Sequence, residues 1–298
     1  YSILRMCRTL NVHIGGFYAG RQKPKTSRQC GDEHHQSLMK SSWLESGAVY
    51  GYRKVWLDLL AMGESIGKNR VARLMSLANL KSQTGYRKKR GFYAGNGHLA
   101  HPNWLQRQFS VNQPNQSWVT DITYIRTHEG GLYLAVVLDL FSRKVIGWVT
   151  HQRIDAELVV NALLMALRQR QPQSEVLVHS DQGVQYTSEL CQHFMKSHSL
   201  KSSMSRRGNC HDNAVAESFF QLLKRERIKR HIYKTRAEAK SDIFNYIEIF
   251  YNPKRRHSAC DNLAPVAYEN AWNLRHQLSR KAGSIQWVLQ SQFRPHSI

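Results

Sequence analysis

Between Leu132 and Leu138 the chain is almost wholly apolar, and a run that short reads as a strand buried on both faces. Such a strand needs cover on both sides, so it belongs inside a layered domain. The flanking sequence supplies its partners. Trp118 to Arg126 alternates as a strand, with Asp121 on the same face as Val119 and Thr123. Glu129-Gly130-Gly131 forms a hairpin turn between the two, and Ser142-Arg143-Lys144 turns the chain again into a third strand, Lys144 to Thr150. Asp155 to Arg168 is a helix that turns Leu158, Ala162, Leu163 and Ala166 inward. Pro172 precedes a fourth strand that ends in Val176-Leu177-Val178-His179-Ser180-Asp181. A short helix over Ser188 to Ser197, a fifth strand near Lys201 to Met204, and a helix through Asn213 to Phe220 complete the order.

Three carboxylates stand out against this framework. Asp121 lies within the first strand, Asp181 at the end of the fourth, and Glu217 on the last helix. A carboxylate in an apolar central strand is unfavourable unless paired or metal-bound. Mg²⁺ is held by a few carboxylate oxygens together with water and substrate phosphate, and two such ions activate an attacking oxygen and stabilise a leaving one. Taken singly, each acid has a plain reading as a strand-edge, turn or exposed helical residue. Asp139, Asp212 and Glu226 compete for the same role. Lys224 follows Glu217 by two helical turns, about 10 Å along the axis. Asn213, one turn before Glu217, either orients substrate or helps begin the helix. Ser180 and His179 do not make a hydrolase site, because no nucleophile elbow surrounds the serine.

The flanks of the acids carry a further signal. Trp118-Val119-Thr120-Asp121-Ile122-Thr123-Tyr124-Ile125 is followed by Asp139-Leu140-Phe141-Ser142-Arg143-Lys144-Val145-Ile146-Gly147-Trp148. Then come His179-Ser180-Asp181-Gln182-Gly183-Val184-Gln185-Tyr186 and Gly208-Asn209-Cys210-His211-Asp212-Asn213-Ala214-Val215-Ala216-Glu217-Ser218-Phe219-Phe220. Tyr251-Asn252, Arg256-His257-Ser258 and Leu263-Ala264-Pro265 close the series. In this order the motifs resemble the catalytic core of retroviral integrases and DDE transposases. The closer resemblance is to the second-reading-frame product of the insertion-sequence-three family of bacterial transposases, from about Cys7 to about Asn270. The resemblance implies an α/β fold with a ribonuclease-H-like core, a mixed five-stranded sheet with helices. It implies metal-dependent DNA strand cleavage and strand transfer, with Asp121, Asp181 and Glu217 holding two Mg²⁺ or Mn²⁺ ions. It places a basic residue at Lys224 for DNA phosphate, and Arg207, Arg256 and His257 join it as candidate DNA contacts, although His257 alternatively packs against the core. The implied partners are double-stranded DNA, as element ends and target, an upstream-frame DNA-binding protein or fusion, and further copies of the chain on DNA. The implied location is the bacterial cytoplasm, at the nucleoid. The alternative is a catalytically silent DNA-binding or regulatory product of a truncated element.

The rest of the chain divides around this core. An N-terminal segment, 1–46, opens with Tyr rather than Met, as expected of a fragment, a processed product or the downstream part of a longer frame. It includes a short helix from about Asp32 to Glu45. Residues 47–82 read as helix-turn-helix: a first helix around Val55 to Leu60, a break at Met62-Gly63, and a second from Asn69 to Leu80, capped by Ser65 or Gly67. If the second helix enters the major groove, Lys68, Arg70 and Arg73 are the DNA contacts; otherwise the pair is a helical hairpin with a solvated basic face. A basic linker, 83–114, contains Arg87-Lys88-Lys89-Arg90. The catalytic core covers 115–230, and a basic helical region, 231–298, includes a helix from Arg236 to Tyr251 capped by Thr235, with an unassigned tail from Ala282. The net charge of +22 attracts polyanions, nucleic acid first. No apolar run is long enough to span a bilayer. The five cysteines include no C-x-x-C pair, and Cys30 with His34 and His35 lacks a second nearby cysteine for zinc.

Overall fold

The apolar run forms the second strand of a five-stranded mixed sheet with strand order β3-β2-β1-β4-β5. The structure is a computed structural model and describes residues 2–22, 25–83, 101–206 and 210–277. β1 (Ser117–Thr127) pairs antiparallel with β2 (Gly130–Asp139), and β2 pairs antiparallel with β3 (Val145–His151). β4 (Val176–Ser180) runs parallel to β1, and β5 (Leu200–Met204) runs parallel to β4. Three antiparallel strands followed by two parallel ones, with helices between, is the ribonuclease-H-like arrangement.

Two units are present, Tyr1–Thr84 and Gly85–Ile298. The first is helical. Thr26 and Gln29 form a reciprocal capping box, which starts α3 at Ser27 and carries it to Glu45, a turn earlier than the sequence pattern suggests. Two helices not anticipated from sequence precede it, α1 (Ile3–Thr9) and α2 (Ile14–Gln22). α4 (Tyr52–Ala61) and α5 (Lys68–Leu77) make the anticipated pair; Gly67 is the N-cap of α5, and Asn79 in the left-handed region (φ 54°) ends it before Leu80. Val55, Leu59, Val71, Leu74 and Met75 are buried, as the periodicity requires, whereas Leu77, which the same spacing places inside, is 65% exposed at the end of α5.

In the second unit, α6 (Ala156–Arg170), α7 (Val184–Thr187) and α8 (Glu189–Ser197) cover one face of the sheet. Trp118, Ala135, Val137 and Ile146 pack there against Leu158, Ala162, Leu163, Ala166 and Met195. α9 (Ala214–Glu226) lies across β1 on the opposite face. Behind α9, Phe219 meets Tyr251 edge to face with ring centroids 4.8 Å apart. α10 (Arg236–Phe244) stops before Tyr251, and the chain continues as a π-helical turn, Asn245–Tyr251, which brings Tyr246, Ile247, Phe250 and Tyr251 inward together. Asn252 then reaches the edge strand: its Nδ2 donates to the Val145 carbonyl (2.9 Å), and its Oδ1 accepts from the Val145 N–H (3.0 Å). A last helix, α11, covers residues 265–277.

Gly147 on β3 permits close contact between the sheet and α6. A Cβ there would stand 2.2 Å from the Ala162 carbonyl oxygen and 2.9 Å from the Ala166 nitrogen, both backbone atoms that cannot swing aside. Gly147→Ala should therefore destabilise the second unit by about 1–3 kcal/mol or more. A lowered thermal unfolding midpoint by circular dichroism checks this, and an unchanged one would mean that α6 is free to lift.

Candidate active site

The register of β1 and β4 aligns the first two acids. The last paired residues are Val119 and His179. Asp121 and Asp181 each lie two places further on, so the pleat turns them to the same side of the sheet. That side is covered by α9, and Asn213 fixes where α9 begins: its Nδ2 donates to the Thr120 carbonyl (3.2 Å), one residue from Asp121. Glu217 follows one turn later, on the same helical face. On the other face of β1, Thr120 Oγ1 lies 3.2 Å from the buried Tyr186 hydroxyl. Tyr186 thereby ties α7, just beyond Asp181, to the strand of Asp121.

These groups are linked electrostatically. Asp121 is half-buried, and its carboxyl is pushed up to about 8 by burial, then by Asp181, with Glu217 adding to the rise. The Ile122 N–H, donating to Asp121 Oδ1 at 2.8 Å, and the Lys224 ammonium oppose the shift. Asp181 is raised by its surroundings, against a 3.1 Å hydrogen bond from the Gly183 N–H. Lys224 is half-buried and lowered, chiefly by burial, although Asp121 pulls it upward. Among the described residues, no group of three or more His, Cys, Asp or Glu is gathered closely enough to chelate a single ion. The acids form an open set coupled by charge.

The chemistry of the set nevertheless suits a hard cation. Its donors are all oxygens. The Oδ1 of Asn213, a residue only 4% exposed, is buried with no hydrogen-bond partner. A Cβ at Gly183 would meet Asp181 Oδ1 at 3.0 Å, so the glycine leaves that oxygen uncrowded. Mg²⁺ and Mn²⁺ accept such sites through one or two carboxylates and keep water or phosphate in the other positions.

The competing acids have structural partners. Asp139 accepts from the Asn115 and Phe141 N–H groups (2.9 Å each); burial pushes it up to about 6, opposed by Arg170. Burial also favours the neutral form of Asp212, but Arg206 and Arg107 outweigh it and hold the carboxylate well below its usual range. Glu226 is paired with Arg255 at 2.6 Å in full burial and accepts from the Tyr246 hydroxyl at 2.8 Å. His179 lies between Ser203 Oγ (2.9 Å) and Ser205 Oγ (3.1 Å), and burial lowers it to about 4, so it is neutral.

The candidate DNA contacts lie in varied settings. Arg256 is half-buried and donates to the Asn262 carbonyl (3.1 Å), while His257 packs edge-on against Tyr251 at 4.8 Å. Arg207 lies outside the described residues, as do Arg87-Lys88-Lys89-Arg90 and the tail from Ala282. In the helical unit, Lys68 is exposed, with its ammonium 6.0 Å from the Trp56 ring. Arg70 and Arg73 both reach Asp32 on α3: Arg70 Nε and Nη2 donate to Oδ1 at 2.9 and 2.7 Å, and Arg73 Nη2 donates to Oδ2 at 2.8 Å. Nothing in the sequence pattern links residues so far apart, so this clamp was not foreseen. His34 and His35 both approach the Glu64 carboxylate, at 3.1 and 3.3 Å, and Cys30 is an exposed free thiol.

Fold and site together define an integrase-type core carried with a helix-turn-helix-like unit. Residues 111–210 match the integrase core domain family, residues 217–272 match a second integrase core domain family, and residues 32–90 match an HTH-like domain. The transposase InsF of insertion sequence IS3A from Escherichia coli strain K12 is 40% identical over 272 residues, covering 91% of this chain and 94% of that one. An uncharacterized 31 kDa protein of insertion element IS600 from Shigella sonnei is 37% identical over 275 residues, covering 92% of this chain and all of its own. The chain belongs to the IS3 family of insertion-sequence transposases. Among solved structures, the HTLV-2 integrase catalytic core domain in complex with magnesium aligns at a TM-score of 0.40 and 16% identity, over 53% of this chain and 97% of that one. A simian T-cell lymphotropic virus intasome chain aligns at 0.44 and 15%, over 76% and 73%.

The raised Asp121 has a measurable consequence. Its folded pKa of about 8 exceeds the ordinary 3.8, so the native state binds the extra proton. Native stability therefore falls as pH rises from about 4 to about 8, and the penalty is complete above that. In chelator, Asp121→Asn should be more stable than the wild type at pH 8, by about 2–4 °C in midpoint for each kcal/mol relieved. The gap should close towards pH 4, and equal midpoints across the range would show that Asp121 is not strained by its neighbours.

Proposed function

We propose that Asp121, Asp181 and Glu217 hold divalent cations, Mg²⁺ or Mn²⁺ and two in number, and that the chain cuts and rejoins DNA strands there. The observation that carries this reading is that Asp121, in register with Asp181 across β1 and β4, is raised by the charges of Asp181 and Glu217 inside an integrase-type core. An open set of three acids, two of them with raised pKa values, is a poor structural device but a ready cation site. Bound ions supply Lewis-acid activation of the attacking oxygen and neutralise charge on the leaving one. Asp121 gives up its proton when a cation replaces it. Asn213 and Tyr186 hold the segments bearing Glu217 and Asp181 against β1, so the carboxylates keep their spacing. Lys224, near enough to influence Asp121, pairs with a DNA phosphate and screens the acids from it. Cleavage is attack of water on phosphorus with departure of a 3′ hydroxyl, and transfer is attack of that hydroxyl on a second phosphodiester. No Ser or Tyr of the chain is acylated or phosphorylated.

In this reading residues 47–82 recognise element ends, 83–114 join that region to the core at 115–230, and 231–298 form a basic region whose described part, to residue 277, braces the core. Double-stranded DNA is the substrate, several copies assemble on it, and an upstream-frame DNA-binding protein or fusion contributes recognition. The bacterial cytoplasm is where it acts; no helix among the described residues is long and apolar enough to cross a membrane.

Asp121→Asn, Asp181→Asn and Glu217→Gln should each reduce Mg²⁺-dependent nicking of an element-end duplex to background, with DNA affinity largely kept. The amides retain shape and lose the charge that holds the ions, and a variant that cuts as well as the wild type removes that residue from the site. At the other unit, Asp32→Asn should free Arg70 and Arg73 for phosphate. The slope of log affinity against log salt should then steepen by about 0.9 for each added phosphate neutralised, with preference for element ends over random DNA reduced. A slope and preference matching the wild type would show that these arginines serve only to tie α5 to α3.

A further inference from the structure

The segment 102–107 follows the edge of the sheet beside β5 and is held there with unusual thoroughness. The Met204 N–H donates to the Pro102 carbonyl (3.4 Å), and Ser203 Oγ accepts from the N–H groups of both Trp104 (3.0 Å) and Leu105 (3.3 Å). Leu105, only 2% exposed, anchors the segment in the core. The next two residues, Gln106 and Arg107, both adopt left-handed φ values, 47° and 62°. Consecutive non-glycine residues in that region are unfavourable and persist only where the surroundings fix them. Here Asn103 fixes them: its Oδ1 accepts from the Gln106 N–H (2.9 Å), while its Nδ2 donates to Asp212 (2.9 Å) and Arg107 Nε donates to the same carboxylate (2.8 Å).

This strained clip does not bury its largest side chain. Trp104 is 53% exposed, and the Lys201 ammonium lies 4.6 Å from its ring centroid. A lone exposed indole would be unremarkable, but this one has a cation over its face and belongs to a clip that shares a carboxylate with two arginines. Arg107 and Arg206, with side chains 44% and 60% exposed, both pair with the Asp212 carboxylate that Asn103 of the clip also reaches, and that single carboxylate balances only part of their charge. The clip is also wired to the acids. Asp212 directly precedes Asn213, whose side chain holds the Thr120 carbonyl next to Asp121, and Glu217 follows one turn later.

We propose that Trp104 is a stacking platform for an unpaired nucleobase at a DNA end, with Lys201, Arg107 and Arg206 taking the adjoining phosphates. An aromatic face accepts any base that has left its pair, and surrounding cations track the backbone. A rigid platform at the start of the segment leading to Glu217 would hold an opened end in a fixed place relative to the carboxylates. The inference rests on the reading that these carboxylates act on DNA strands.

The test uses the full chain in chelator, so that nothing is cut. Two probes are compared: a dumbbell duplex closed at both ends, and the same duplex opened at one end into a short single-stranded extension. The wild type should prefer the open-ended probe by about tenfold, the order of one base–aromatic stack. Trp104→Ala should abolish that preference and leave dumbbell affinity unchanged, and Trp104→Phe should keep most of it. Lys201→Ala should flatten the salt slope by about one. The proposal is overturned if the wild type shows no preference, if Trp104→Ala keeps it or weakens both probes equally, or if a Phe variant that melts like the wild type loses it. A wild type that binds neither probe would instead sink the assignment of DNA as substrate.

Discussion

β1 is hydrogen-bonded on both flanks, antiparallel to β2 and parallel to β4, and every candidate catalytic group is positioned relative to it. The parallel register with β4 sets Asp181 level with Asp121. The Thr120 carbonyl receives Asn213 and so sets the start of the helix bearing Glu217. Its hydroxyl meets Tyr186 on the opposite face. A one-residue slip of β1 would reverse every side chain on it, sending Asp121 under α6 and Trp118 out from under it. The depth of packing around Trp118 is thus what keeps a carboxylate in a place where it is electrostatically unwelcome.

The remaining buried charges serve a different purpose. Asp139, Asp212 and Glu226 are fully buried, as Asp121 is not, and each is met by arginine or backbone donors that make ionisation tolerable. Removing one partner from such a pair leaves an uncompensated charge, so these pairs fix geometry more surely than they add stability. Arg170 and Ser142 both donate to Glu269, joining α6 and the β2–β3 turn to α11. Glu226 and Arg255 join the end of α9 to the chain beyond the π-helical turn. The candidate catalytic acids and the bracing acids are distinguished by their charge environment: Asp121 is raised by Asp181 and Glu217, whereas Asp139, Asp212 and Glu226 are met by arginine.

Much of this was legible in the sequence, for a physical reason. Strand alternation and the apolar run through Val136 reflect burial directly, so the five strands and α6 stand where the pattern put them. Gly67 and Thr235 cap their helices as local chemistry requires. The misses are of another kind. Thr26 and Gln29 start α3 early through a capping box that the apolar pattern does not mark, and the π-helical turn after Phe244 has no sequence signature. The Asp32 clamp on Arg70 and Arg73, the role of Tyr186 and the reach of Asn213 to the Thr120 carbonyl depend on contacts between distant positions, which no periodicity encodes, although the place of Asn213 at the start of α9 is local. Basic residues on a recognition helix look identical in sequence whether they face solvent or a carboxylate.

Asn252 shows how the sheet ends. Its side-chain amide meets Val145 with one donor and one acceptor, as the backbone of a sixth strand would. The outer rim of β3 is therefore already occupied at that point by the protein's own chain, and a foreign strand has nothing there to zip onto. At the Val145 end of β3, then, a second copy finds the sheet already closed by the chain's own amide, and any pairing of strands between copies has to start elsewhere.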